Sequence, residues 1–158
     1  IGNNTGVLVA EEGLALLKFN RFVGNLAAGL SVTNTTAINI TAENNWWGCN
    51  YGPGTGGAGC SGTPNGANNT SPGTVDTNPW LVLGLSASPS TVAVGGMSGL
   101  TASLKKNSDD VDTSLMGMGT FPDGVTVNFA GTLGTVMPAS ATTASAVASS
   151  ALVGSASS

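Results

Sequence analysis

Two adjacent tryptophans stand in a run of turn-forming residues, Asn44-Asn45-Trp46-Trp47-Gly48-Cys49-Asn50-Tyr51-Gly52-Pro53, and glycines continue from there to Cys60. Gly, Asn and Pro punctuate regular structure, so this segment extends neither a helix nor a long strand. An indole buries a large apolar area at low entropic cost and needs one partner for its N–H. The stretch therefore reads as a structural plug rather than a catalytic motif. The competing reading is a platform on which a sugar ring stacks. Cys49 and Cys60 enclose ten residues, five of them glycine. A disulfide across such a loop would stabilise the fold by about 2–3 kcal/mol in the chain-entropy model. It would also imply an oxidising, extracellular setting. The alternative is two free thiols. A metal site is disfavoured, because the chain has no histidine and two ligands do not make a tetrahedral site.

Composition narrows the class. Charged residues make up 8% of the 158 residues, against roughly a quarter in ordinary domains. Hydrophobic residues make up 41%, which argues against charge-driven disorder. The four basic residues are Lys18, Arg21, Lys105 and Lys106, and the net charge is −4. Nucleic acid needs a clustered positive footprint, so it is not an expected partner. No apolar run reaches the length of a membrane span, and no signal peptide is evident, so no membrane insertion is expected. So little charge gives weak self-repulsion, which suits a chain that packs against copies of itself. Five asparagines head N-x-Ser/Thr sequons: Asn3, Asn34, Asn39, Asn68 and Asn69. They are candidate glycosylation sites, and glycans would supply the hydrophilic coat that charges do not. Together these readings predict an extracellular or cell-surface protein.

The pattern along the chain predicts an all-β protein in two parts. Residues 1–60 carry short apolar runs, Val7-Leu8-Val9, Leu16-Leu17-Lys18-Phe19, Phe22-Val23 and Ala37-Ile38-Asn39-Ile40, separated by Asn and Gly. That is the rhythm of a solenoid coil, with about two coils present. A helix over 11–22 competes, because Glu11, Glu12 and Leu14 to Lys18 are good helix formers. Gly13 and the Asn20/Gly24/Asn25 punctuation weaken it. Residues 61–79 read as a Pro/Gly/Asn linker or long loop ending at Trp80, which is expected to pack where the two parts meet. Residues 80–158 alternate in short strands: Leu81, Leu83, Leu85 and Ala87; Thr91–Val94; Leu100, Ala102 and Leu104; Val125, Val127 and Phe129; Leu133–Val136; Ala146–Val153. Strands at this spacing read as a β-sandwich.

These residues resemble two families. Phe19-Asn20-Arg21-Phe22-Val23-Gly24-Asn25 and Ala42-Glu43-Asn44-Asn45-Trp46-Trp47-Gly48-Cys49-Asn50, with Gly52-Pro53, resemble the terminal coils of right-handed parallel β-helix proteins of the pectate-lyase-like type. The resemblance implies that Trp46 and Trp47 cap the last coil. Leu85-Ser86-Ala87-Ser88-Pro89, Leu100–Leu104, Pro122–Phe129, Leu133–Val136 and the Thr142–Leu152 tail resemble bacterial immunoglobulin-like domains of the invasin/intimin type. Such domains continue through one further strand, so the sandwich here is expected to be incomplete. An uncapped coil and an incomplete sandwich are both templates for another chain. The leading expectation is a non-enzymatic subunit of an extracellular fibre, a homopolymer assembled head-to-tail by strand complementation, with Ile1–Ala10 as the donated strand. The alternative is a fragment of a large surface adhesin that binds carbohydrate or a host partner.

Enzymatic readings are thin. The β-helix resemblance includes polysaccharide lyases and hydrolases, but only Lys18, Arg21, Glu11, Glu12 and Glu43 could serve them. Neighbouring Glu11 and Glu12 would point to opposite faces of a strand, whereas a hydrolase needs a carboxylate pair at fixed separation. No catalytic residue or cofactor is expected. The densest oxygen-rich cluster, Asn107-Ser108-Asp109-Asp110-Val111-Asp112, offers Asp109, Asp110 and Asp112 as a weak Ca²⁺ candidate. The default reading is a solvated acidic loop.

Overall fold

The computed structural model describes residues 3–10, 15–54, 66–115, 117 and 119–155. The chain is all-β, and its strands fall into a parallel region followed by an antiparallel one. The parallel region holds β1 (Thr5–Val9), β2 (Ala28–Val32), β3 (Ile40–Thr41), β4 (Ala67–Asn69) and β5 (Val75–Asp76). β1, β2 and β4 form one parallel sheet, in which Val7 lies opposite Leu30 and Leu30 opposite Ala67. β3 and β5 form a second, with Ile40 opposite Val75, and Leu16 adds a parallel bridge to Thr41. At a third side Arg21 bridges Trp46, and the Leu81 amide donates to the Asn45 carbonyl at 3.0 Å. The chain thus passes the same three sides at three successive levels.

Alternation explains the core of this region. In β1, Val7 and Val9 turn inward while Leu8 stays exposed. Val9, Phe22, Leu30, Val32, Ile40, Ala42 and Trp47 form one buried cluster. Parallel pairing aligns inward positions from level to level, Val7 on Leu30 on Ala67 and Ile40 on Val75, so each level covers apolar residues of the next.

The antiparallel region follows without a break. It holds β6 (Leu81–Ser88), β7 (Met97–Asn107), a 3-10 turn (Thr113–Leu115), β8 (Thr126–Asn128), β9 (Thr135–Met137), β10 (Ser140–Thr142) and β11 (Val147–Val153). One sheet runs β6-β7-β11-β9, and β8 pairs with β10 in a small second sheet. Leu100, Ala102 and Ala148 from the large sheet pack with Phe129, Val127 and Ala141 from the segments of the small one. A further cluster, Phe19, Leu81, Leu104, Phe121 and Ala146, draws on both regions and joins them.

Two expectations change, and the competing helix is absent among the described residues. The segment expected as a linker, 61–79, contributes β4 and β5, so there are three levels and not two. Its strands are two or three residues long and rich in Asn and Thr, and only pairing with earlier levels makes them strands. Ala15 to Phe22 contain no helix; Leu16 and Arg21 make parallel bridges instead, while residues 11–14 lie outside the described set. Thr91–Val94 is not a strand, and β10 falls where no strand was expected.

Candidate functional site

The junction between the two regions is the most elaborately built part of the molecule. Asn45 is fully buried, and its Nδ2 donates to the carbonyls of Leu17 at 2.6 Å and Ala42 at 2.7 Å. Its Oδ1 accepts the Asn20 amide at 2.8 Å. One side chain therefore closes the backbone of two levels, which answers the requirement that buried polar groups be paired. Asn44 beside it has φ of 53°, a left-handed conformation that asparagine tolerates well. Its Oδ1 accepts from Asn107 Nδ2 at 3.0 Å, a buried bond between the second parallel level and the end of β7. Lys18 pairs with Glu43 at 2.8 Å across the same two levels.

The tryptophans divide their work around this junction. Trp47 is 1% exposed and packs on Phe22 with ring centroids 4.7 Å apart. Its indole N–H has no partner. Trp46 is half-buried against the cluster that joins the regions. Trp80 is half-buried; its Nε1 donates to the Asn50 carbonyl at 3.0 Å, and its ring lies flat over Gly52. A Cβ on Gly52 would come within 2.7 Å of that ring, and φ there is +84°, so glycine is required on both counts. Asn50 also holds the edge of β6, accepting from Leu83 N at 2.7 Å and donating to Leu83 O at 3.0 Å. Trp47 fills the parallel core, and Trp46 and Trp80 pack half-buried against the clusters at the joint. Cys49 is buried beside this turn. Cys60 lies outside the described residues, so the expected bridge has only one described end.

The candidate glycan acceptors differ sharply. Asn34 is 3% exposed, with both amide atoms sealed from solvent and unpartnered. The folded chain leaves no room for a sugar there. Asn39 is exposed, but its Oδ1 already accepts from the Thr74 hydroxyl at 2.8 Å. Asn69 is tied into its own turn, donating to Gly73 O at 2.8 Å. Asn3 and Asn68 are exposed.

The acidic loop does not converge on a cation. Asp110 pairs with Lys106 at 2.6 Å. Asp112 Oδ1 accepts from both the amide and the hydroxyl of Ser114, and these bonds hold its carboxyl below the usual value of 3.8, with Lys105 and Lys106 adding to the effect. Among the described residues no group of three or more His, Cys, Asp or Glu could hold a metal ion. Asp109, Asp110 and Asp112 are therefore not brought together as ligands.

Sequence reasoning missed one feature, a bare strip inside the antiparallel region. Leu85 and Ala87 lie opposite Ala102 and Leu100, so they share the inner face of the large sheet. Leu83, on the same face, packs with Val125 and Val127, but Leu85 is 68% exposed. In the small sheet, β8 turns the backbone groups of Val125 and Phe129 toward β10, through Thr143 N to Val125 O at 2.9 Å and Phe129 N to Ala139 O at 2.8 Å. Antiparallel alternation then points the N–H and C=O of Thr126 and Asn128 to the other edge. That edge has no neighbour among the described residues. The donor expected for such a place, the strand within Ile1–Ala10, is already in use: Thr5–Val9 is β1, paired along its length with β2.

No protein-family model, no curated protein and no solved structure matches this chain. Among the described residues no helix is long and apolar enough to cross a membrane.

Proposed function

We propose that this chain is a non-enzymatic structural element of an extracellular or cell-surface protein, a short parallel β-helix closed onto an immunoglobulin-like sandwich that accepts a β-strand from outside its own fold. The observation that carries the proposal is a bare inner strip at Leu85 and Ala87 in a region whose small sheet leaves one edge of β8 unpaired among the described residues. An extended segment laid along Thr126 and Asn128 would gain main-chain hydrogen bonds and cover both side chains, which is strand complementation. If neighbouring copies supply that segment, a head-to-tail filament results. The buried joint at Asn44, Asn45 and Asn107 supports such a role, because it couples the two regions as one load path.

The second reading is a segment of a large surface adhesin. It is favoured by one fact: every described strand is already paired inside the chain, which leaves none free to donate. Electron microscopy and light scattering of the concentrated protein separate the two. Filaments that disappear on Leu85→Asp, while the circular dichroism spectrum is kept, support assembly. A monodisperse monomer at high concentration overturns the fibre reading.

A further inference from the structure

The tryptophans are engaged, but β6, β7 and the 107–112 loop line a hollow of about 670 Å³, with Leu85 and Val82 among its apolar wall and Gly84, Ser86, Thr101 and Ser103 on the outer face of the sheet. We propose that this hollow binds a segment of neutral oligosaccharide, two or three sugar rings long. The volume falls in the range of small-molecule sites, roughly 300–1,000 Å³.

Its floor and walls come from strand alternation. Gly84 lies opposite Ser103, and Ser86 opposite Thr101, so these four share the outer face. A Cβ placed on Gly84 would meet nothing closer than the Ser103 carbonyl at 3.8 Å. One face of a pyranose chair can therefore rest against backbone there, beside the Thr101 hydroxyl, the Ser86 hydroxyl, which donates to the Thr101 carbonyl at 3.5 Å, and the Ser103 hydroxyl, which accepts from the Lys105 amide at 3.3 Å. A hydroxyl both donates and accepts, as a sugar hydroxyl does, so either orientation of a sugar O–H finds a complement.

Charge at the far end selects a neutral ligand. Lys106 and Asp110 cancel each other in their ion pair. Two further charges line the hollow, Lys105 and Asp112. Lys105 makes no ion pair among the described residues. Asp112 engages Ser114 through Oδ1, leaving Oδ2 as an acceptor. One ammonium donor and one carboxylate acceptor suit vicinal hydroxyls, whereas a strongly anionic or cationic ligand would face a like charge. Asp109, in the same loop, lies outside the lining. Leu85 lines the hollow as well as belonging to the bare strip, so sugar binding and strand addition are read separately, by the titration below and by the state of assembly.

The test is an amide chemical-shift titration of the whole chain with cellotriose, mannotriose and triacetylchitotriose at millimolar concentrations. Binding is expected to shift Gly84, Ser86, Thr101 and Ser103 with at least one of the three. Gly84→Val, which fills the floor, and the double variant Lys105→Met/Asp112→Asn should each weaken it by about tenfold or more, a loss of about 1.4 kcal/mol, with the rest of the spectrum unchanged. Three sugars that leave these amides unmoved overturn the proposal. So do shifts centred on Trp80 and Tyr51, or variants that bind as tightly as the parent.

Discussion

The parallel and antiparallel regions solve the same problem with different materials. Both must bury apolar side chains with almost no charge to spend on the surface. The parallel levels bury large groups, Trp47, Phe22, Leu30 and Ile40, and close their backbone with the Asn45 amide. The antiparallel region buries Phe121, Leu81 and Leu104 at the joint and Leu100, Ala102, Ala148 and Phe129 between its two sheets, and it leaves the Leu85 strip uncovered. Stacked levels cover one another, whereas a sheet face depends on how wide its opposing sheet is. The small sheet here has two strands against four.

Truncation should expose that difference most strongly. Trp47→Ala removes a fully buried indole from the parallel core and is expected to cost about 4 kcal/mol in urea unfolding. Leu85→Ala, on the bare strip, should change stability by less than about 0.5 kcal/mol in the isolated chain. Equal losses would show that the strip is covered in solution and that the two cores are alike.

Asparagine offers a finer comparison inside the parallel region itself. Asn45→Ala leaves the Leu17 and Ala42 carbonyls without their donor, and the expected cost is about 2 kcal/mol. Asn34 is as buried but bonds to nothing. Asn34→Leu therefore removes a desolvated amide without breaking a bond and should leave the melting temperature unchanged or raise it. A large loss at Asn34 would mean that its amide has a partner in solution, such as a buried water.

Much of this contrast could be read from the residues, and the failures have one cause. The alternation Leu81, Leu83, Leu85, Ala87 and Leu100, Ala102, Leu104 marks β6 and β7, because one face of each strand is apolar. Asn44 announces a turn and sits in one, whereas Asn45 beside it serves the core through its side-chain amide. The strands β4 and β5 were illegible, since Ala67-Asn68-Asn69 and Val75-Asp76 have no apolar face of their own and exist by pairing with β2 and β3. The role of Trp46 and Trp47 was legible as burial but not as a division of labour, one in the core and one at the joint. Nothing local could disclose the hollow, whose lining comes from two strands and a loop. The bare strip at Leu85 was equally hidden: its residues look like core residues, and only the reach of β8 decides that they are not covered.

The smallest expected effect concerns the loop that borders the hollow. The Asp112 carboxylate is stabilised chiefly by the hydroxyl and amide of Ser114, with Lys105 and Lys106 contributing, so its folded pKa lies below 3.8. A carboxyl depressed on folding binds its proton more readily in the unfolded chain. Its contribution is therefore fully present above the unfolded value and is lost as pH falls through the lower, folded one. Asp112→Asn/Ser114→Ala should be slightly less stable than the parent at neutral pH, and the gap should close below about pH 4. The group is open to solvent, so salt should shrink the lysine share while leaving the Ser114 bonds. Chemical denaturation at neutral and acidic pH, at low and high salt, measures both. A gap that stays constant with pH would assign the effect to loop geometry rather than charge. The acidic loop would then resemble the asparagine-built joint, held by shape, and not the charged rim that the hollow requires.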